Sequence, residues 1–259
     1  MVVALAGCAS VEPGTGVAED DGLLASTPLV RSMPVERGEV VEVGRFSQLP
    51  AGAEGADGWA PYNLRGGKPT RYHATEVDGI VCMCADASEG QSALQRLIRI
   101  DPRDHPMLEW SWRVPRLPRS PATPSPRARL MIAFHGDASK LDIEQRMHLR
   151  MAKAMTGGKG LPYASLVYVW QEGKKADSVF QSPFSERVRM VSLGAGEGRL
   201  DRWLTFRRNV REDYRRAFGE EPGDIVGVAI YTDIDNDGRP GLAYYGDITF
   251  RREPQTVAR

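Results

Sequence analysis

The 259-residue chain predicts a mostly-β fold: a two-sheet antiparallel jelly-roll sandwich with one longer and one short helix. Three observations carry this. Apolar residues recur at period two, or in short buried runs, along most of the chain. Gly 27 and Pro 18 punctuate those runs at short intervals, which favours many strands and turns over long helices. Only two segments change to a helical period, too few for a sheet built of strand–helix–strand units.

Taken in order, residues 38–46 (GEVVEVGRF) alternate as a first strand. Residues 47–69 are rich in Gly and Pro and read as loop, with Trp59 and Tyr62 as anchors. Residues 70–74 and 79–85 form a hairpin around Val77-Asp78-Gly79, a turn signal. Residues 94–100 alternate imperfectly. Residues 107–114 (MLEWSWRV) give the clearest strand, with Leu108, Trp110, Trp112 and Val114 on one face. Five prolines between 115 and 126 make a loop. Core strands follow at 128–134 and 166–170, and further strands at 187–193 and 203–206.

The two helical segments are 137–155 and 209–218. In the first, Ile143, Met147, Met151 and Met155 repeat every four residues and predict a packing face. The second has Asn209 as N-cap, an apolar stripe of Val210, Tyr214, Ala217 and Phe218, and Gly219 as its stop. The last two strands, 225–230 and 242–250, flank an acidic connection, and Gly246-Asp247 interrupts the second.

Hydrophobic residues at 41% and charged residues at 26% are ordinary globular values. Lys+Arg 34 balances Asp+Glu 34, so nothing asks for nucleic acid. No apolar run is long enough for a transmembrane helix. Residues 1–8 end in Leu5-Ala6-Gly7-Cys8, which reads as a truncated lipoprotein signal with Cys8 as the lipidation site. Residues 9–37 read as a flexible tether, 38–252 as a single β-sandwich domain and 253–259 as a tail. The expected location is the periplasmic side of the cell envelope, as an outer-membrane lipoprotein held by its lipid anchor alone.

Catalytic signatures are missing. The four histidines fall in four segments without zinc-type pairing, and there is neither a GxSxG elbow nor a phosphate loop. Cys82 and Cys84 point to one strand face with parallel Cβ vectors, which suits two small buried hydrophobes and not a disulfide. Acid/base carboxylates have several candidates, Asp233, Asp235, Asp247, Glu109 and Asp137, with no basis for choosing among them. Asp233, Asp235, Asp237 and Gly238 match the opening half of a calcium loop. Tyr244 stands where an EF-hand needs a bidentate Glu, so the alternatives are an oxygen-rich Ca²⁺ loop and a solvated acidic turn.

Four motifs in order, MLEWSWRV, LPYASLVYVW, RNVREDYRRAFGEEPG and IYTDIDNDGRPGLAYYGDITF, resemble the bacterial domain-of-unknown-function family 3047. The layout is also similar to galactose-binding-type carbohydrate-binding modules. That second resemblance implies a structural calcium held by Asp247 on the last strand with Glu42 on the first. Together these point to a non-catalytic, carbohydrate-binding-like module for envelope glycan. Trp59, Tyr62, Tyr163, Trp170 and Trp203 are the candidate stacking rings, each with core packing as its alternative role. Arg207, Arg208, Arg211, Arg215 and Arg216 form a basic cluster suited to an anionic surface or to plain solvation. The alternatives are a hydrolase of polysaccharide or ester bonds and a structural envelope protein that binds a protein partner.

Overall fold

The computed structural model describes residues 32–63, 68–88, 92–115, 128–155, 161–170, 174–183, 185–194, 197–232 and 241–253. Its strands are β1 (Val40–Gly44), β2 (Trp59–Asn63), β3 (Arg71–Val77), β4 (Ile80–Ala87), β5 (Ser92–Ile100), β6 (Met107–Arg113), β7 (Arg129–Phe134), β8 (Ala164–Val169), β9 (Val179–Ser182), β10 (Ser185–Ser192), β11 (Leu204–Asn209), β12 (Ile225–Thr232) and β13 (Gly241–Arg251). Among the described residues two α-helices join them, α1 (Ile143–Met155) and α2 (Val210–Phe218).

The strands form two sheets, as the patterning requires. Sheet A runs β11-β6-β13-β4-β3, with β1 also on β13. Sheet B runs β2-β5-β12-β7-β8-β10-β9. Pairing is antiparallel except between β10 and β8, which are parallel. A β-sandwich buries alternate residues of each strand between its layers. Leu108, Trp110 and Trp112 accordingly point inward from β6, at 0–1% exposure. The two tryptophans meet Phe206, Tyr168 and Tyr245 in a ring cluster with centroids 5.1–6.4 Å apart.

Local signals account for several details. The β3–β4 turn places Asp78 and Gly79 both at positive φ, 54° and 76°, the geometry of a tight hairpin. Asn209 caps α2 by accepting the Glu212 N–H at 3.1 Å, and Gly219 ends it in the left-handed region at φ 72°. The interruption at Gly246-Asp247 is a register shift where β13 passes between Tyr245 and Ile248. On one side of it β13 pairs with β4, on the other with β1.

Three expectations need correction. Residues 59–63 are a strand, β2, and β9 is a strand that the sequence pattern did not disclose. The stripe on α1 is not a packing face: Ile143, Met147 and Met151 are 78%, 51% and 55% exposed. The helix instead turns Leu149 to the core, while Gln145 Nε2 reaches Glu186 Oε2 at 3.3 Å on β10.

Candidate functional site

A cleft of about 530 Å³ opens where the β2 edge of sheet B and the β3 edge of sheet A come together. Residues 49–57 form one wall. Their backbone is laced to β3: Gly52 N–H donates to Ala74 O (2.8 Å), Gly55 N–H to Tyr72 O (3.0 Å), and Ala74 N–H to Ala53 O (2.7 Å). Gly55 and Gly58 sit at φ 73° and 74°, where a side chain would strain the backbone, so this wall depends on glycine spacing.

The floor is apolar, made by Leu49, Trp59, Pro61, Tyr72 and Leu94. Trp59 is 9% exposed; its ring lies 5.2 Å from Phe46 and its Nε1–H donates to Val43 O at 3.2 Å. Tyr72, 6% exposed, donates its hydroxyl to Ser92 O at 2.7 Å. Both rings are thus held in place before any ligand arrives. The rim is polar. Arg71 donates Nε and Nη2 to Glu54 Oε1 at 3.1 and 2.6 Å. That hydrogen bond holds the Glu54 carboxyl below its usual range and keeps it ionised at neutral pH. Asp57 and Thr70 complete the lining. An apolar floor with a few planar polar groups at the edge is a general plan for small-molecule sites of this volume.

Of the five rings named from sequence, Trp59 alone lines this cleft. Tyr62 lies on β2 opposite Ala93 and points the other way from Pro61. Trp170 is core, at 1% exposure. Tyr163, 8% exposed, belongs to a polar cluster at the end of α2. There Tyr163 and Tyr214 donate to the Glu220 carboxylate at 3.3 and 3.0 Å, and Arg187 Nη2 donates to it at 2.6 Å. The Arg187 guanidinium also lies 4.1 Å over the Tyr163 ring. Trp203 is half-buried just before β11. Periodicity could not have found Glu54, Asp57, Arg71 or Tyr72, because a loop and a distant strand bring them together.

The acidic residues divide. Asp233, Asp235 and Asp237 lie outside the described residues, as does Cys8. Asp247 accepts the Ser47 N–H at 2.8 Å and the Ser47 hydroxyl at 2.6 Å, fixing the 3-10 turn Phe46–Gln48 against β13. Glu42 pairs with Arg45. No group of three metal-ligating side chains stands together among the described residues. Glu109 is paired with Arg207 at 2.7 Å, and Asp137 accepts from Ser139 N and Oγ.

The basic cluster is likewise engaged. Arg208 and Arg216 bind Asp213, while Arg211 and Arg215 bind Glu221. With Arg207–Glu109 and Arg208–Asp177, an anionic surface would therefore compete with six ion pairs among the described residues. Cys82 and Cys84 are free, buried thiols on β4, and burial pushes both up to about 12. They are inert side chains at neutral pH.

The family described as "Protein of unknown function (DUF3047)" matches residues 57–249. No curated protein matches the chain. Among solved structures, it is similar to the family 11 carbohydrate-binding module of the cellulosomal cellulase Lic26A-Cel5E of Clostridium thermocellum, at 10% identity and a TM-score of 0.43. That match covers 87% of this chain and 100% of the module. The K2 cleaved adhesin domain of Lys-gingipain aligns at 8% identity and a TM-score of 0.38, over 82% and 98% of the two chains. The glycoside hydrolase domain of Endo-D from Streptococcus pneumoniae R6 aligns at 7% identity and 0.33, over 76% of this chain and 22% of that one.

Proposed function

The chain belongs to the DUF3047 family, and because that family's description names no activity, we propose a role from the site itself: a non-catalytic, glycan-binding β-sandwich of the bacterial cell envelope. One observation carries the reading, the cleft with Trp59 and Tyr72 in its floor and Glu54, Asp57 and Arg71 at its rim. A sugar ring offers C–H faces that pack on aromatic and aliphatic surface, and hydroxyls that exchange hydrogen bonds with carboxylates and guanidinium groups. The cleft supplies both, at a volume suited to one or two sugar rings. Glu54 and Arg71 hold each other as an ion pair at the rim, and both keep hydrogen-bonding capacity for a sugar's hydroxyls.

The envelope placement rests on Leu5-Ala6-Gly7-Cys8 and the polar, Gly- and Pro-containing segment after it. A lipid on Cys8 would tether the sandwich to the outer membrane and hold the cleft near periplasmic glycan. Labelling with palmitate in a native host tests this, and label retained by Cys8→Ser would refute it.

The binding reading is tested by isothermal titration with cellohexaose, xylohexaose and chitohexaose. At least one is expected to bind, and Arg71→Ala and Asp57→Asn are each expected to weaken it about tenfold, the loss of roughly one charge-assisted hydrogen bond. Both side chains are exposed, so the fold should survive the changes. Failure of all three oligosaccharides, or rim variants that bind as the parent does, would sink the proposal.

A further inference from the structure

Among the described residues four large apolar side chains stand in water, Ile80, Ile143, Met147 and Met151, and three of them share one helix. They follow at intervals of four along α1, so they lie one above another in a single row. Successive residues of a helix turn by about 100°, which puts Gln145 and Leu149 on the opposite side. That opposite side is the one the fold holds: Leu149 packs on the core and Gln145 reaches Glu186 on β10. The sandwich therefore fixes α1 with its apolar row turned straight out. A contiguous apolar row rimmed by polar side chains marks an interaction surface.

Charge selects the occupant. Arg146 and Arg150 are exposed and stand three residues after Ile143 and Met147, so each arginine flanks one side chain of the row. Neither has an ion-pair partner among the described residues, and nor has Lys140, exposed just before the helix. The α2 arginines differ, since Arg208, Arg211, Arg215 and Arg216 are all paired. Three carboxylates lie near. Asp142 accepts the Gln145 N–H at 2.7 Å, Glu186 takes the Gln145 amide, and Glu144 stands in the first turn on the other flank of the row. One flank of the row is thus free cation. Arginine stems lie along apolar surface with the charged head at its edge, the arrangement of a helix resting in a bilayer interface. A second copy of the chain suits the row less well. Three side chains along about 12 Å of helix fall short of the roughly 800 Å² per partner that a stable dimer buries.

We propose that α1 is a membrane-contact helix for a bilayer surface containing anionic phospholipid. Ile143, Met147 and Met151 enter the boundary between headgroups and acyl chains, while Arg146 and Arg150 meet lipid phosphates, whose oxygens a guanidinium can take in pairs. A row of three side chains gives reversible contact and not insertion. A tether at Cys8 would raise the concentration of the helix at the surface, but the contact needs neither that lipid nor the glycan cleft.

The test uses the full chain carrying Cys8→Ser, so that no lipid is attached at residue 8. It is sedimented with vesicles of about three parts phosphatidylethanolamine to one part phosphatidylglycerol, and with vesicles of phosphatidylcholine. The expected result is binding to the anionic vesicles that weakens as salt rises, and about tenfold less binding to the neutral ones. Met147→Ser with Met151→Ser, and separately Arg146→Gln with Arg150→Gln, should each lower binding about tenfold and leave the melting temperature unchanged. Arg215→Gln on α2 should bind as the parent does. Anionic vesicles that carry down no protein, or equal binding to both kinds of vesicle, would overturn the proposal. A loss in Arg215→Gln with none in the α1 arginine variant would also overturn it and move the contact to α2. A lower melting temperature in the methionine variant would show that the row already packs within the fold. A parent that is dimeric in solution, and monomeric once Met147 and Met151 are replaced, would make a second copy the occupant; either result defeats the membrane assignment.

Discussion

Replacing Asp213 by Ala should cost more than any other surface-adjacent change on α2. Asp213 sits in the first turn of that helix with its side chain 5% exposed. Its carboxylate accepts Arg208 Nε at 2.8 Å and Nη2 at 2.7 Å, Arg216 Nη2 at 2.9 Å, and the Tyr168 hydroxyl at 2.8 Å. The Tyr168 phenol is fully buried, and burial pushes its pKa well above the ordinary value, so it stays a neutral donor. Removing the carboxylate strands that donor and leaves Arg208 with Asp177 as its remaining carboxylate. Deleting one partner of a buried ion pair costs about 3–5 kcal/mol. Arg208 is 19% exposed and Arg216 45%, so water offsets part of this, and the lower end, about 3 kcal/mol, is the expected loss. For a domain of this size that lowers Tm by about 6–12 °C. Guanidinium unfolding followed by tryptophan fluorescence reads the same change, since Trp110 lies 5.1 Å from Tyr168. The double variant Asp213→Leu with Arg208→Met should recover part of the loss, because the buried Arg208 charge leaves with its partner while Arg216 and Asp177, 45% and 59% exposed, return to water; the Tyr168 hydroxyl stays stranded. A single-variant loss below about 1 kcal/mol would refute the account.

Two further outcomes follow from the same bonding. Arg187 and the two tyrosines hold the Glu220 carboxyl below its ordinary 4.5 despite its burial, so its folded pKa is depressed. Its contribution is therefore present above the unfolded value and lost as pH falls through the folded one: the stability gap between the parent and Glu220→Gln should be constant above pH 4.5 and close below it, and a gap that widens in acid would contradict this. Asp247→Ala should lower stability by about 1 kcal/mol through loss of its hydrogen bonds from the Ser47 N–H and hydroxyl, equally in chelator and in millimolar calcium; a deficit seen in calcium alone would instead make Asp247 a metal ligand.

The two strands missed by pattern, β2 and β9, are the two outermost strands of sheet B. An edge strand pairs on one side only, so it tolerates what a central strand cannot. Pro61 stands in β2 opposite Leu94 because one side of that strand has no neighbour to receive an N–H. The α1 stripe misled for the opposite reason. Its period of four was read correctly as a helix, but period does not say which face meets the core, and Leu149 took that place. The stacking rings behaved in the same way: Trp170 and Tyr163 have the right chemistry, yet burial and the Glu220 cluster claim them.

Local chemistry sufficed wherever the governing interaction spans a few residues. The inward Trp110–Trp112 face follows from a period of two, the Asp78-Gly79 hairpin from positive φ, and the bounds of α2 from Asn209 and Gly219. Two sheets follow as well, since so many one-faced strands must cover one another. What only the tertiary structure decided is which edges meet. Glu54 reaches Arg71 because the loop before β2 is laced to β3, and Asp247 receives the Ser47 hydroxyl because the turn after β1 is carried onto the last strand. Both depend on contacts between residues far apart in the chain, whose energies are set by packing and burial and leave no periodic trace in the sequence.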